Sequence, residues 1–345
     1  MPDLSSSYKL DKSNLRGAIY EAPKQFRVGF ELASSVKLDG DFGQAVFYGE
    51  GGSAFPVSLV STLVRDAAEK DGKTPTAIFQ NHTYSLTSEA SRNAMNVFCS
   101  YSGNTEETIT TLTKALDANL PIVVMASGGK LEEIARAKGL SFIKLPMPTP
   151  DFQPRMGTGY FVGVILQILA NHGLASDMND EVLAAVDGFN KSMSSFEEKG
   201  YDLASKVAGK TPVVWSSQKF NELARVWTIK FNEHSKNPAF WNFFSELNHN
   251  LMVGFTNLGD KYFAIMLKDP ADDPENLRRY DITADILKGY NMESTILDLE
   301  GANTFAKMFN SIYIADFAAY YLAEKNGLDP TPVEMVEELK KRLKS

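Results

Sequence analysis

Three small aliphatic hydroxyls fall within the stretch Ser100-Tyr-Ser-Gly-Asn-Thr105, directly after the apolar run Val97-Phe-Cys99 and just before Glu106-Glu107. Gly103, in their midst, can take backbone angles closed to other residues. A helix opening at Thr105 would turn bare N–H groups and the positive end of its dipole toward the loop. Small hydroxyls and free amides suit phosphate oxygens, so Ser100, Ser102 and Thr105 read as a phosphate cradle. A helix start capped by the Thr105 side chain accounts for the same residues, and the two readings are compatible.

A second turn, Tyr48-Gly-Glu-Gly-Gly-Ser53, has the same shape of strand end followed by helix start. Gly51 and Gly52 let the backbone approach a ligand, and Ser53 can bind it or cap the helix. The third glycine of a dinucleotide fingerprint is missing, Pro56 sits in the first helical turn, and there is no Gly-Lys-Ser/Thr of a nucleotide phosphate loop. Arg155 ends the proline-rich run Pro146–Pro154 and precedes an apolar helix bearing Gly157 and Gly159. It reads equally as a surface charge or as a guanidinium that stabilises a developing oxyanion.

Two further residues can move protons. Glu233 lies near the end of the apolar stretch Phe220–Ser235, where partial desolvation would favour a general base, although a solvated helix-end carboxylate is the plainer reading. His249, between Asn248 and Asn250 in an aromatic segment, is a proton-transfer candidate or a core histidine. His82, His172 and His234 have polar or helix-end neighbours and are assigned to the surface. No His-x-His or His-Glu-x-x-His spacing occurs, so no zinc site and no metal cofactor is expected.

The elements that must position these residues alternate. Ala45–Gly49, Ala77–Gln80, Asn96–Ser100, Pro121–Ala126 and Ser141–Leu145 read as strands, with helices at Ser53–Lys70, Thr105–Ala118 and Lys130–Lys138. The pattern predicts an α/β fold with a mainly parallel sheet covered by helices on both faces. A helix over Met156–Asn171 and a connecting helix over Asp180–Lys199 follow. The second half predicts strands at Pro212–Trp215, Tyr262–Leu267 and Ser294–Leu297, and helices at Phe220–Ser235, Pro274–Tyr290, Asn303–Lys325 and Pro332–Lys344. We expect two related doubly wound domains, residues 1–175 and 201–345, joined by a helix over 176–200.

The totals exclude several function classes. A chain of 345 residues allows roughly two domains of ordinary size. A net charge of -8 offers no basic stripe to nucleic acid, so an anionic ligand must be drawn locally by loops and helix ends. The single cysteine, Cys99, admits no internal disulfide and reads as a small buried hydrophobe in a reduced compartment. The N-terminal residues lack a basic start and apolar run, and no stretch has the length of a membrane span, so a cytoplasmic location is expected.

Taken together, Gly51-Gly-Ser53, Ser100-Tyr-Ser-Gly-Asn-Thr-Glu-Glu107, Pro154-Arg155, Asn232-Glu233, Glu246-Leu-Asn-His-Asn250 and Asp329-Pro-Thr-Pro-Val…Leu339-Lys340 resemble the bifunctional phosphoglucose/phosphomannose isomerase family. That family is built from two sugar isomerase (SIS) domains. The resemblance implies that Gly52, Ser53, Ser100, Ser102 and Thr105 hold a sugar phosphate, and that Glu233 moves a proton between C1 and C2 through a cis-enediol. Arg155 would stabilise the enediolate, and His249, supplied across a homodimer interface, would assist ring opening. Lys340 would sit beside the ring oxygen, with Lys341 as the alternative. Glu50, Ala54 and Phe55 depart from the family's first turn, and Met156-Gly-Thr-Gly-Tyr160 departs from its arginine motif. A non-catalytic sugar-phosphate sensor or an amino-sugar phosphate isomerase are the alternatives to an aldose–ketose isomerase.

Overall fold

The computed structural model describes residues 9–343. The residues read against a signal sequence, and Lys344 at the end of the last expected helix, lie outside them. The chain divides into two compact units, Glu21–Asn190 and Lys191–Ser345 together with Met1–Tyr20.

The described residues open with α1 (Leu15–Glu21) and α2 (Gln25–Ala33), then β1 (Gln44–Tyr48), α3 (Phe55–Lys70) and β2 (Ala77–Asn81). Next come β3 (Ala94–Cys99), α4 (Glu106–Asp117), β4 (Ile122–Ala126), α5 (Gly129–Lys138) and β5 (Ser141–Lys144). After α6 (Thr158–Asn171), α7 (Asn179–Val207) carries the chain from the first unit into the second. The second unit adds β6 (Thr211–Ser217), α8 (Asn221–Lys230), β7 (Phe240–Phe244) and β8 (Tyr262–Lys268). It closes with α9 (Pro274–Gly289), β9 (Glu293–Asp298), α10 (Thr304–Lys325) and α11 (Glu334–Leu343).

In the Glu21–Asn190 unit the five strands are all parallel, in the order β2-β1-β3-β4-β5. β3 is buried along its whole length, which is why Ala94–Cys99 shows no apolar–polar alternation. Asn96 is the polar exception: its side-chain oxygen accepts from the Tyr48 hydroxyl at 2.9 Å, and its amide donates to Ala94 O at 2.8 Å. Cys99 is buried, and burial pushes its thiol well above the ordinary range. α6 is apolar nearly all round, with Phe161, Val164, Ile165 and Ile168 fully enclosed, as befits a central helix.

The important topological fact is the reversal at β1. The chain leaves β1 for β2 on one side and returns as β3 on the other. Tyr48 pairs with Phe98, so the turn after β1 and the loop after β3 emerge side by side at the carboxyl edge. Open parallel sheets bind ligands at such switch points.

The second unit has a four-stranded parallel sheet, β7-β6-β8-β9, with the same reversal at β6. β7 was not expected as a strand. It is an edge strand whose Phe240 and Trp241 remain exposed, so its aromatic run lacks the inside–outside alternation that marks a strand. α1 belongs to this unit. Arg16 donates two bonds to Glu197 at 2.5 and 2.8 Å, and the Tyr20 and Tyr321 hydroxyls each donate to the same carboxylate at 2.6 Å.

The helix expected to run unbroken over Phe220–Ser235 stops at Lys230. Phe231–Ser235 forms a π-turn, and the left-handed Lys236 (φ 56°) ends it. His234, assigned to the surface from its neighbours, is fully buried inside that turn. Helix-end polarity misled because the π-turn rotates the residue inward onto α10.

Candidate active site

The Glu21–Asn190 unit holds six of the sequence-predicted residues: Gly52, Ser53, Ser100, Ser102, Thr105 and Arg155. The Ser53 hydroxyl accepts from the Tyr101 N–H at 2.9 Å, tying the first turn to the serine loop. Ser100 Oγ lies 2.8 Å from Thr105 Oγ1, and it also accepts from the Gly103 N–H at 3.1 Å. The Thr105 side chain makes no capping bond to α4, so its hydroxyl serves the loop rather than the helix. Glu106 and Glu107 take the first-turn positions favoured by the dipole. Ser53 and Ser100 are buried; Ser102 is exposed, its Oγ accepting from the Asn104 N–H at 3.3 Å.

Two glycines make this geometry possible. A side chain on Gly103 would meet the Gly128 carbonyl oxygen at 1.8 Å, and its φ of 70° is left-handed. A side chain on Gly52 would meet Arg155 N at 2.7 Å and Pro154 Cβ at 2.8 Å. Gly52 is therefore where the first turn lies flush against the Pro154–Met156 turn that carries Arg155. Arg155 itself is 1 % exposed. That excludes the surface-charge reading, since a buried guanidinium is retained only with partners.

Glu50 marks the electrostatics of the loop mouth. His82 Nδ1 lies 2.9 Å from Gly49 O and 3.3 Å from the Glu50 carboxylate. Burial raises the Glu50 pKa above the ordinary value; His82 opposes that shift and Glu107 adds to it.

The other candidates lie in the second unit. Glu233 is half-exposed on the π-turn, and such turns recur at functional sites. Lys236 Nζ donates to Glu233 O at 2.9 Å and to Pro330 O at 2.9 Å, while Asn232 Oδ1 accepts from the Ala239 N–H at 2.9 Å. His249 is exposed at the end of the short turn Glu246–His249, which excludes the core-histidine reading. Its neighbours hold that turn. Asn248 donates to Thr283 Oγ1 at 3.0 Å and Asn250 donates to Glu246 Oε1 at 2.5 Å. Lys340 is exposed on α11, 2.7 Å from Glu337. His82 is exposed as expected, whereas His172 is half-buried and accepts from the Leu38 N–H at 2.8 Å. Among the described residues no three His, Cys, Asp or Glu side chains are grouped to hold a metal, and no helix is long and apolar enough to cross a membrane.

Sequence reasoning missed the buried group behind Glu233. Lys230 Nζ and His234 Nε2 reach the same oxygen of Asp316, at 2.9 and 3.2 Å. Asp316 sits inside a long apolar helix more than eighty residues away in the chain, and no local spacing signals the encounter.

Two helix-flanked parallel sheets, the first with a hydroxyl-lined loop at its switch point, define a protein of paired SIS domains. The putative phosphosugar isomerase of Clostridium difficile 630 shares the fold, with a TM-score of 0.73 over 94% of this chain and 97% of that one at 16% identity. Residues 196–343 match the bacterial phospho-glucose isomerase C-terminal SIS domain. The bifunctional phosphoglucose/phosphomannose isomerase of Aquifex aeolicus is 30% identical over 329 residues, covering 94% of this chain and 98% of that protein. The protein of the same name from Caldicellulosiruptor bescii is 31% identical over 341 residues, with the same coverage of 94% and 98%. The chain belongs to the bifunctional phosphoglucose/phosphomannose isomerase family.

Proposed function

We propose that this protein interconverts glucose 6-phosphate, and mannose 6-phosphate, with fructose 6-phosphate. In this reading Gly52, Ser53, Ser100, Ser102 and Thr105 hold the phosphate. Glu233 takes the proton from C2 of the open-chain aldose, leaving an enediolate whose charge Arg155 stabilises, and returns the proton at C1 to give the ketose. Such a shift between adjacent carbons requires a base, a proton donor to oxygen and charge stabilisation, and no electrons change hands. His249 assists ring opening from the partner protomer of a homodimer, and Lys340 attends the ring oxygen.

The observation that carries the reading is Glu233 itself: a half-exposed carboxylate on a π-turn fastened by Lys236 and Asn232, in a chain that also holds the serine loop. A sensor of sugar phosphate needs the loop and has no use for the carboxylate.

The test is a coupled assay with each aldose phosphate, run with a chelator present. Glu233→Gln should fold, bind fructose 6-phosphate and lose nearly all turnover. Full activity in that variant removes the assignment, and loss of parental activity on chelation removes the metal-independent route.

A further inference from the structure

We propose that Asp316 is a positioning residue for Glu233, acting through Lys230 and His234; this rests on Glu233 being the base. Lys230 is the last residue of α8 and His234 the fourth residue of the π-turn, so they bracket Phe231, Asn232 and Glu233. Both are clamped to a single carboxylate oxygen on α10, at 2.9 and 3.2 Å. Exposure is 2 % for Lys230, 0 % for His234 and 7 % for Asp316.

Stability alone does not account for such a group. Buried ion pairs are costly to desolvate, and apolar residues of similar volume often replace them without loss. Their best-attested use is to impose one arrangement where apolar packing would allow several. Here the arrangement at issue is the register of a turn that departs from α-helical geometry. α8 is also held to α10 by the 2.9 Å bond from Trp227 Nε1 to Ser311 Oγ, before the turn begins. What Asp316 adds is a second grip, at the far side of the turn. Burial pushes its pKa up, but the opposing charge of Lys230 and the bond from His234 outweigh it and hold the carboxyl below the usual range. An ionised carboxylate only accepts, so His234 Nε2 is the protonated ring nitrogen.

Asp316→Asn keeps the shape and removes the charge. It should lower kcat about 10–100-fold, the scale on which small misplacements of a reacting group act, while KM for fructose 6-phosphate stays within about twofold. A triple variant, Lys230→Met/His234→Leu/Asp316→Val, removes the whole buried group. It should melt at or near the parental temperature yet keep the low kcat, a separation that a purely structural role would not produce. A folded triple variant with parental kcat overturns the inference if Glu233→Gln is inactive in the parent. If Glu233→Gln is itself fully active, the base assignment falls and this inference with it.

Discussion

Ser100 Oγ and Thr105 Oγ1 stand 2.8 Å apart across the loop after β3, so the threonine that could have capped α4 instead completes a hydroxyl pair. The pair spans a loop beside the point where the strand order reverses. It gives the proposed phosphate site a direct test.

Ser100→Ala or Thr105→Val should weaken binding of fructose 6-phosphate with little change in melting temperature. A hydrogen bond to a charged group is worth about 1.5–3 kcal/mol, or roughly 10–150-fold in Kd. Titration calorimetry on each variant checks this. Parental affinity in both would place the phosphate elsewhere.

Gly52→Ala should damage turnover without adding any polar contact. Its new Cβ would sit 2.7 Å from the Arg155 backbone nitrogen, so the two turns must part. Overpacking of this kind costs about 1–3 kcal/mol, and moving Arg155 should lower kcat as well as stability. Denaturant melts and initial rates measured together would show both losses.

A mixed dimer tests whether His249 is shared between protomers. Glu233→Gln and His249→Ala homodimers should each be inactive. Unfolded together and refolded, they should regain activity, because each mixed dimer would hold about one site with both groups intact. No recovery, in dimers shown to have exchanged, would assign His249 to its own protomer's site or to none.

The C-terminal lysines separate cleanly. α11 has no buried residue, so Lys340→Ala and Lys341→Ala should each change stability by no more than about 0.5 kcal/mol. A fall in kcat confined to Lys340→Ala supports the assigned register; a fall confined to Lys341→Ala shifts it by one.

Glu197 sets a pH signature of stability. Burial raises its pKa, but bonds from Arg16, Tyr20 and Tyr321 outweigh that and hold it below the ordinary 4.5. A lowered carboxylate pKa stabilises the fold fully above the unfolded value and loses that contribution as pH falls through the folded one. Glu197→Gln should therefore cost about 3 kcal/mol at neutral pH, as expected for a broken buried pair, and the gap from the parent should narrow on acidification below pH ~4.5. A gap that stays constant in chemical melts across that range would contradict the linkage.

What could be read from the sequence was local. Alternating apolar runs and helix patterns specified a parallel sheet, because burial on both faces shows directly in composition. The loop Ser100–Thr105 and the turn at Gly51–Ser53 were legible because each is a contiguous run of residue types, and the family because several such short runs follow one another along the chain. The tertiary structure alone decided the rest. His234 carries helix-end neighbours yet lies buried, because α10, far along the chain, delivers Asp316 to meet it. Arg155 could be either surface or site until the fold left it 1 % exposed. Thr105 looked like a cap because caps are judged from neighbours, whereas the position of the Ser100 hydroxyl depends on the curl of the whole loop. Contacts between distant segments leave no periodicity in the chain, so they become visible only when the fold brings the segments together.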